Sequence, residues 1–394
     1  MLMNMMEIIF DNGTIWVEDS ESVEKLKNDY FGEERSGKIF LTPEEALYLI
    51  KFRNGFIKNM CFTDLLSFFA KNDPKIFIKY NAYRDWRDRG LIIRRFSKVV
   101  KGKHEKKTYK EYPVKKLKLE NLDLKAVWYP DSLFSLVEEG GKELFEKYWF
   151  GQYGIYKQTR GRILKLDFME TIFLSKWFGM KVFENGKQIK WENILKNVVK
   201  KREYAKQLYE VYEDWRLKGY VVKTGFKFGS HFRIYFPGAS PKKGKSEDDE
   251  WVHSKHVLHV FPKEQKMLIS EWARAIRVAH GVKKTFILGI PELKKEDYID
   301  IPVDFLAYRR KKTQTGWVRE TPKDKPRYLL AAFSEDDHIG GIELASLLEK
   351  AKSMGLSLIL SITDRETAIT YYVLKKIILP DSDYEYYEIE WIKP

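Results

Sequence analysis

Three residues of types that can cleave RNA without a metal ion lie at the ends of segments with a β-strand pattern. Tyr235 closes the segment at 219–236, His253 opens the next one, and Lys284 immediately precedes a third. In such a cleavage a base takes the proton of the ribose 2′-OH, and an acid protonates the departing 5′-oxygen. A cation stabilises the charge that builds up on the phosphate. Tyrosine, histidine and lysine suit these tasks, although a strand tyrosine is usually a packing residue.

Other catalytic patterns do not stand out in the sequence. There is no Ser-His-Asp spacing, no Gly-rich phosphate loop and no carboxylate cluster that suits a two-metal nuclease. The histidines at 253, 256 and 259 invite a zinc interpretation. On a strand, however, residues three apart face opposite sides, and no cysteine or carboxylate completes a tetrahedral set. We therefore expect neither a metal ion nor an organic cofactor.

Cationic and aromatic side chains alternate along 219–236, where the pattern predicts a strand, a tight turn and a second strand. They are Lys223, Phe226, Lys227, Phe228, His231, Phe232, Arg233 and Tyr235. Alone, such an edge is a weak signal for nucleic-acid binding. The net charge of +14 strengthens it, because clustered Lys and Arg gain by releasing counterions from phosphates. Solvated Lys/Glu faces are the alternative explanation of the charge.

Length and composition predict several folded units. At 394 residues the chain exceeds one ordinary core, and 44% of its residues are apolar. Cys61 is the single cysteine, which excludes an intramolecular disulfide, and its apolar neighbours predict that it is buried. The N-terminal segment is interrupted by Glu7 and followed by Asp11, which is atypical of a signal peptide or a membrane span. We expect a cytoplasmic protein.

The first 220 residues contain a duplicated order of elements. The segment LDFMETIFL at 166–174 repeats the pattern of LTPEEALYL at 41–49, and YEDWRLKG at 212–219 repeats YRDWRDRG at 83–90. Between the copies, a lysine-rich stretch without periodicity is predicted to be a linker. The second copy is longer than the first, and the extra residues carry three cations: Lys157, Arg160 and Arg162.

A second duplication covers the C-terminal half. A gapless shift of 72 residues places 253–290 on 325–362, and apolar positions agree, as Phe261 does with Phe333. We call residues 253–290 the equipped copy and residues 325–362 the stripped copy. In the stripped copy a lysine, Lys325, stands at the place of His253, and Leu356 stands at the place of Lys284.

Each of these copies predicts a strand, a loop, a long helix and a second strand. A further edge strand is expected in each, near 298–308 and near 368–378. The predicted fold class is therefore mixed α/β, built from repeated small units in which helices pack on mixed sheets.

Three segments of the chain resemble the successive motifs of the tRNA-splicing endonucleases, the archaeal tRNA-intron lyases. They read YVVKTGFKFGSHFRIY, VHSKHVLHVFP and IRVAHGVKK. The resemblance is dense over residues 209–290 and looser over nearly the whole chain. It implies a fused form with three units per chain, an endonuclease-like catalytic unit and a degenerate copy of it.

The resemblance also implies an activity and roles. The enzyme would cut precursor tRNA at exon–intron junctions in bulge–helix–bulge motifs, without metal, leaving 2′,3′-cyclic phosphate and 5′-hydroxyl ends. Tyr235 matches the family's general base, His253 its general acid, and Lys284, with Lys283 as the fallback, its stabilising cation. Arg277 matches a residue that clamps a flipped base. The second clamping cation has no clear match; Arg309 and Arg310 are the candidates.

In this family, four units assemble so that two active sites meet the two bulges of the RNA. One catalytic copy per chain therefore implies a homodimer. An acidic loop of a structural unit inserts into a basic pocket of a catalytic unit, and Glu335, Asp336 and Asp337 stand where that loop is expected. An exposed acidic turn is the alternative for these three residues. The extra cations of the second copy are expected to contact RNA and to widen the range of bulges accepted.

The resulting domain prediction has four parts: a non-catalytic N-terminal unit (1–105), the N-terminal domain of the catalytic unit (115–200), the catalytic domain (201–312) and a degenerate structural domain (313–394). A non-catalytic RNA-binding or scaffold subunit of a tRNA-splicing complex is the alternative function. In that case Tyr235, His253 and Lys284 would only pack or contact phosphate.

Overall fold

A computed structural model of the chain describes residues 5–97, 110–155, 160–241 and 253–394. The elements of the first range are β1 (Met6–Glu7), β2 (Ile9–Asp11), β3 (Thr14–Val17), α1 (Ser20–Asn28), β4 (Glu33–Arg35), β5 (Lys38–Phe40), α2 (Pro43–Phe52), β6 (Gly55–Phe56), α3 (Phe62–Ala70), α4 (Ile76–Asp88) and β7 (Ile93–Arg95). Strands β2 and β3 form a hairpin through Asn12 and Gly13, whose φ angles of 46° and 87° suit a type I′ turn.

The start of α2 shows how the sequence fixes local structure. Thr42 accepts the N–H of Glu45 at 3.3 Å, Glu45 accepts the N–H of Thr42 at 2.9 Å, and Pro43 occupies the first turn. The other oxygen of Glu45 accepts from Gly32 at 2.9 Å, so the helix start also holds the preceding loop. The prediction for Cys61 is wrong: it is exposed at the N-terminus of α3, because it lies outside the helix's packed face.

The second copy of this arrangement follows. Its elements are β8 (Lys125–Tyr129), β9 (Phe134–Val137), α5 (Gly141–Tyr148), β10 (Gln152–Tyr153), β11 (Leu164–Asp167), α6 (Phe168–Phe178), β12 (Lys181–Glu184), β13 (Lys187–Ile189), α7 (Trp191–Lys201) and α8 (Ala205–Leu217). Asp167 and Glu170 cap α6 reciprocally, and Glu170 accepts from Gly151 at 2.7 Å. This repeats the contacts of α2, which confirms the predicted duplication.

The remaining chain carries β14 (Val221–Thr224), a short 3-10 turn (Phe226–Phe228), β15 (Phe232–Tyr235), β16 (His256–Val260), β17 (Lys266–Leu268), α9 (Ile269–Gly281), β18 (Thr285–Ile290), a second 3-10 turn (Lys295–Asp297), β19 (Phe305–Ala307), β20 (Arg310–Thr313), β21 (Gly316–Arg319), β22 (Tyr328–Ser334), β23 (His338–Gly340), α10 (Gly341–Ser353), β24 (Ser357–Thr363), β25 (Ile369–Ile377) and β26 (Glu385–Ile392). No helix within the described ranges has the length and apolar character needed to cross a bilayer. The mixed α/β fold class is as predicted.

Ten strands of the described chain form one mixed sheet in the order β14-β15-β16-β18-β26-β25-β24-β22-β19-β7. Strand β16 runs parallel to β18 and β22 runs parallel to β24, with the antiparallel pair β25–β26 in the middle. An approximate twofold relation thus joins an equipped half (β14, β15, β16, β18 and β26) to a stripped half (β25, β24, β22, β19 and β7). Helices α9 and α10 share one hydrophobic core that includes Trp272 and Leu347.

The predicted edge strands are wrong in their positions. Strand β19, from the segment 298–308, pairs with β22 and β7 of the stripped half. Strand β25, from the segment 368–378, lies in the sheet interior between β24 and β26. The neighbour of β18 is β26 from the C-terminal end, with Phe286 opposite Ile389. The physical reason is that the hairpin β25–β26 gives each half one strand, a long-range pairing that local patterns do not contain.

Candidate active site

Tyr235, His253 and Lys284 lie at the same end of three neighbouring strands of the sheet. Strand β15 is antiparallel to β16, and β16 is parallel to β18, so the end of β15 lies beside the beginnings of β16 and β18. Tyr235 is the last residue of β15, His253 stands three residues before β16 and is exposed, and Lys284 directly precedes β18. Three segments well separated in sequence therefore end or begin side by side, and each carries one of the predicted catalytic residues.

Lys284 ties two of these segments together. Its Nζ donates a hydrogen bond to the carbonyl of Ser254, the residue that follows His253. Partial burial lowers the pKa of the Lys284 ammonium, and the positive charges of Arg233 and Lys255 lower it further. The site therefore holds a partly desolvated cation whose hydrogen-bond acceptor is a neutral carbonyl.

Tyr235 lies against the preceding domain. Its ring is almost fully buried and its centroid is 4.8 Å from that of Trp149, while the guanidinium of Arg233 stands 5.9 Å from the ring centroid. A cavity of about 530 Å³ opens beside it. Its polar lining includes Gln152, Lys165, Arg202, Lys223, Thr224, Arg233 and Tyr235. The 110–200 segment thus supplies one wall of this cavity, whose lining includes Tyr235 but neither His253 nor Lys284.

The alternating cations of 219–236 are not all available to a ligand. Lys223 is half-buried and forms an ion pair with Glu170 at 3.0 Å. His231 and His259 stack with centroids 4.3 Å apart, and burial lowers their pKa values to about 3 and about 4. The hairpin faces the interior on this side because β15 is covered by the second unit; Phe226, 87% exposed, remains at the surface. In the described residues no group of three His, Cys, Asp or Glu side chains is placed to hold a metal ion.

Arg277 lies exposed on α9, near the end of β26. Tyr372 stands directly opposite Trp391 across β25–β26. Burial raises the pKa of Tyr372, and the positive charge of Arg277 opposes this shift. The His280 ring is 5.9 Å from the Trp391 ring, and the Lys393 ammonium is 5.3 Å from it. The sequence did not reveal these C-terminal residues, because β26 lies about 100 positions after β18, the strand with which it pairs.

The earlier candidates for a second clamping cation, Arg309 and Arg310, are wrong. Arg310 donates to the carbonyl of Arg89 at 2.9 Å, at the end of α4 and next to the stripped half. The longer connection after β18 carries these two residues away, because it leads to β19 at the other end of the sheet.

The extra residues of the second copy extend the hairpin between β10 and β11. Ile155 donates its N–H to the carbonyl of Arg160 at 3.0 Å, and Arg160 and Arg162 are exposed. Lys157 lies outside the described residues. The corresponding turn of the first copy, between β4 and β5, is a short one of two residues.

The acidic segment joins the two copies within the chain. Asp336 pairs with Arg365 at 2.8 Å and Asp337 with Lys75 at 2.9 Å. The first two N–H groups of α9 donate to the carbonyls of Asp337 and Glu335, at 2.9 Å and 3.0 Å. The contacts with α9 use backbone carbonyls, whereas the side chains of Asp336 and Asp337 pair with Arg365 and Lys75. A contact of the segment with a second copy of the chain stays a prediction.

The stripped half keeps one functional group that sequence comparison missed. In the register of β19 with β22, Tyr308 occupies the place that Tyr235 has in the register of β15 with β16. A cavity of about 950 Å³ includes Tyr308, Lys325 and Arg94 in its wall. Lys325 and Leu356 stand where the equipped copy has His253 and Lys284, so the stripped half keeps the tyrosine without counterparts of that histidine and that lysine.

Models of two known protein domains match segments of this chain. The family model "tRNA intron endonuclease, catalytic C-terminal domain" matches residues 206–301, and "tRNA intron endonuclease, N-terminal domain" matches residues 6–65. The tRNA-splicing endonuclease of Nanoarchaeum equitans is 36% identical over 132 residues, which cover 34% of this chain and 84% of that protein. The chain belongs to the tRNA-splicing endonuclease family.

Two further relatives show how the resemblance is distributed. The tRNA-splicing endonuclease of Methanococcoides burtonii is 26% identical over 359 residues, covering 75% of this chain and 98% of that protein. That of Thermococcus onnurineus is 29% identical over 178 residues, covering 45% and 94%. The segment matched to the catalytic domain of tRNA-splicing endonucleases contains Tyr235, His253, Arg277 and Lys284.

Proposed function

We propose that this protein cuts precursor tRNA at exon–intron junctions within bulge–helix–bulge motifs. The phenolate form of Tyr235 accepts the proton of the ribose 2′-OH as the 2′-oxygen bonds to phosphorus. The bond from phosphorus to the 5′-oxygen breaks, and protonated His253 gives its proton to that oxygen. Lys284 stabilises the added negative charge on the phosphate oxygens. The products are a 2′,3′-cyclic phosphate and a 5′-hydroxyl, and no step needs a metal ion.

The observation that carries the proposal is the meeting of the end of β15 with the beginnings of β16 and β18. Tyr235 ends the first of these strands, and His253 and Lys284 stand just before the other two, which supports a joint role for the three residues. The bond from Lys284 to the carbonyl of Ser254 supports it further, since it positions the acid and the cation relative to each other.

A cleavage assay tests the proposal. The purified chain, incubated with an intron-containing tRNA in excess chelator, should release exons with the stated end groups. His253→Ala should slow cleavage by about 10²- to 10⁴-fold while leaving RNA affinity near that of the parent, as expected of an acid used only in the transition state. His338→Ala, an exposed histidine of the stripped half, is the matched control and should cleave normally. Cleavage that stops in chelator would contradict the metal-free chemistry.

A scaffold role is the alternative that one observation favours. The Tyr235 ring is only 5% exposed and packs on Trp149, as a structural residue would. A chain that binds the RNA tightly and leaves it intact under all ionic conditions would support that alternative.

Arg277 and the C-terminal residues Trp391 and Lys393 form the proposed clamp for a flipped base. The Lys393 ammonium lies 5.3 Å from the Trp391 ring, and Arg277 is exposed on α9; a ring and cations of this kind supply stacking and cation–π contacts. Trp391→Ala should weaken binding of bulged RNA by about tenfold, and Trp391→Phe should restore much of it. Equal affinity of the alanine variant and the parent would remove Trp391 from the clamp.

The second proposed RNA contact is the extended hairpin with Lys157, Arg160 and Arg162. Replacing all three by alanine should reduce cleavage of irregular bulges more than cleavage of symmetrical ones. The prediction fails when all substrate geometries are cut at the parent's rates.

The proposed assembly is a homodimer in which Glu335, Asp336 and Asp337 of one copy meet a basic pocket of the other. Sedimentation of the parent and of a triple variant with the corresponding amides tests this. We expect a dimer for the parent and a larger monomer fraction for the variant; a monomeric parent that cleaves both junctions would contradict the assembly.

A further inference from the structure

A two-stranded hairpin, formed by β20 and β21, follows the strand β19 of the stripped half. Its base is firmly held. The N–H of Glu320 donates to the carbonyl of Arg309 at 2.9 Å, and the buried Glu320 carboxylate pairs with Arg327 at 2.9 Å. At its tip Thr313 donates its hydroxyl to the carbonyl of Gly316 at 2.9 Å. The hairpin is therefore a fixed projection.

The two faces of this hairpin differ in charge and contacts. Directly opposite residues of an antiparallel pair share a face, as do residues two apart along a strand. The register places Arg310 opposite Arg319 and Lys312 opposite Trp317, so these four residues lie on one face, which we call the basic face. Lys311 points to the other face, where it pairs with Asp324 at 2.6 Å.

The basic face is open to solvent and contains no acidic residue. Arg310 and Lys312 are exposed, Arg319 is half-buried, and Trp317 is 69% exposed, an unusual position for so large an apolar ring. Residues 309–319 include five cations and no Asp or Glu. Such a surface repels basic partners and attracts polyanions, and its exposed ring can stack on an unpaired base.

We propose that the basic face is a second RNA-binding surface, which takes a segment of the precursor RNA. In this proposal Lys312 and Arg319 contact phosphates and Trp317 stacks on an unpaired base. The inference rests on the proposed function for the identity of the RNA, and the geometry of the hairpin carries the rest.

This surface is remote from the proposed cleavage site. From β18 to β19 the sheet order gives five strand steps, β26, β25, β24, β22 and β19. At about 4.8 Å a step these span about 24 Å. Strand β22 runs antiparallel to β18, and β19 runs antiparallel to β22, so β19 is parallel to β18. The hairpin follows the end of β19, whereas the proposed cleavage site lies at the beginning of β18, so the two stand at opposite ends of the strands. Substitutions on the basic face should therefore change RNA affinity and leave the chemical step unaltered.

The experiment compares variants of the full chain that differ in face and in ring. In a His253→Ala background, which prevents cleavage, binding of an intron-containing tRNA is measured at several salt concentrations. Trp317→Ala should weaken binding by about 5- to 150-fold, and Trp317→Phe should restore most of it. Lys312→Gln with Arg319→Gln should weaken binding and reduce the slope of log K against log salt by about 1.4 to 1.8.

Lys311→Gln is the matched control, since it removes one charge from the neighbouring residue on the opposite face. It should bind like its parent, and thermal unfolding should show that all variants are folded. With His253 restored, the single-turnover cleavage rate at saturating enzyme should be the same for the basic-face variants and the parent.

The outcomes separate the two proposals. If the parent binds and cleaves the RNA but the basic-face variants keep its affinity and salt slope, the hairpin inference is wrong and the proposed function stands. The inference is equally overturned when Lys311→Gln loses as much affinity as the double variant Lys312→Gln with Arg319→Gln. If the parent neither binds nor cleaves the tRNA, both proposals fall.

Discussion

Replacing Lys284 by methionine separates a catalytic role of this lysine from a structural one. Methionine keeps an unbranched apolar side chain and removes only the charge and the donor. In the structure the Lys284 ammonium donates to the neutral carbonyl of Ser254 and has Arg233 and Lys255 as charged neighbours. Its positive charge is thus available to a phosphate that gains charge in the transition state.

The expected loss follows from this position. A preorganised donor aimed at developing charge contributes about 10²- to 10³-fold to the rate constant, and we expect a loss in this range for Lys284→Met. The lost hydrogen bond to Ser254 should lower the free energy of unfolding by about 1 kcal/mol, since the carbonyl can be rehydrated at this half-exposed site. A structural role alone would give the second effect without the first.

The assay is single-turnover cleavage of an intron-containing tRNA with saturating enzyme, beside urea unfolding of the same preparations. Lys283→Met is the control: Lys283 is exposed and lies in the left-handed turn before Lys284, with φ at 55°. Lys284→Arg keeps the charge. Because burial and like charges lower the pKa of Lys284, the ammonium is lost at a lower pH than in an ordinary lysine, so the arginine variant should extend activity to higher pH. A catalytic role of Lys284 is refuted if Lys284→Met cleaves within threefold of the parent's rate. It is refuted equally if Lys283→Met loses as much of the cleavage rate as Lys284→Met.

Two further predictions concern stability. Burial against Tyr112 and Phe236 lowers the pKa of His256 to about 3, so the unfolded chain takes up a proton at His256 at a higher pH than the folded chain does. The contribution of the neutral ring to the free energy of unfolding is complete above pH 6.5 and is lost as the pH falls from there towards 3. At pH 5 the loss is about 2 kcal/mol, which His256→Phe should abolish; an unchanged pH dependence of urea unfolding would contradict this. Lys223→Met leaves the buried Glu170 carboxylate without its cation and should cost about 3 kcal/mol in urea unfolding, whereas the same change at the exposed Lys227 should cost almost nothing; equal costs would show that the ion pair is not needed.

Local patterns predicted local structure well. The helix start at Thr42, the turn at Gly13 and the segments that carry Tyr235, His253 and Lys284 are all encoded within a few residues by caps, turn formers and alternation. The shift of 72 residues identified two related copies, because apolar positions that build one core repeat at the same spacing.

Pairings between distant segments were not predictable in the same way. Strand β26 completes the equipped half about 95 residues after β18, and β19 crosses to the stripped half, because the free energy of a strand pair depends on what lies beside it. For the same reason the sequence predicts Lys223 to be a surface cation, whereas in the structure it forms an ion pair with Glu170 of another domain. Trp391, which we propose as part of the clamp, and the retained Tyr308 became visible only through the sheet order.

The central claim is that Tyr235, His253 and Lys284 act together on one phosphodiester. Mapping the ends of the RNA fragments that the parent and His253→Ala release in excess chelator tests it most directly. The parent should give 2′,3′-cyclic phosphate and 5′-hydroxyl ends, and the variant should release fragments about 10²- to 10⁴-fold more slowly. Fragments with 5′-phosphate ends, or a variant as fast as the parent, would contradict it.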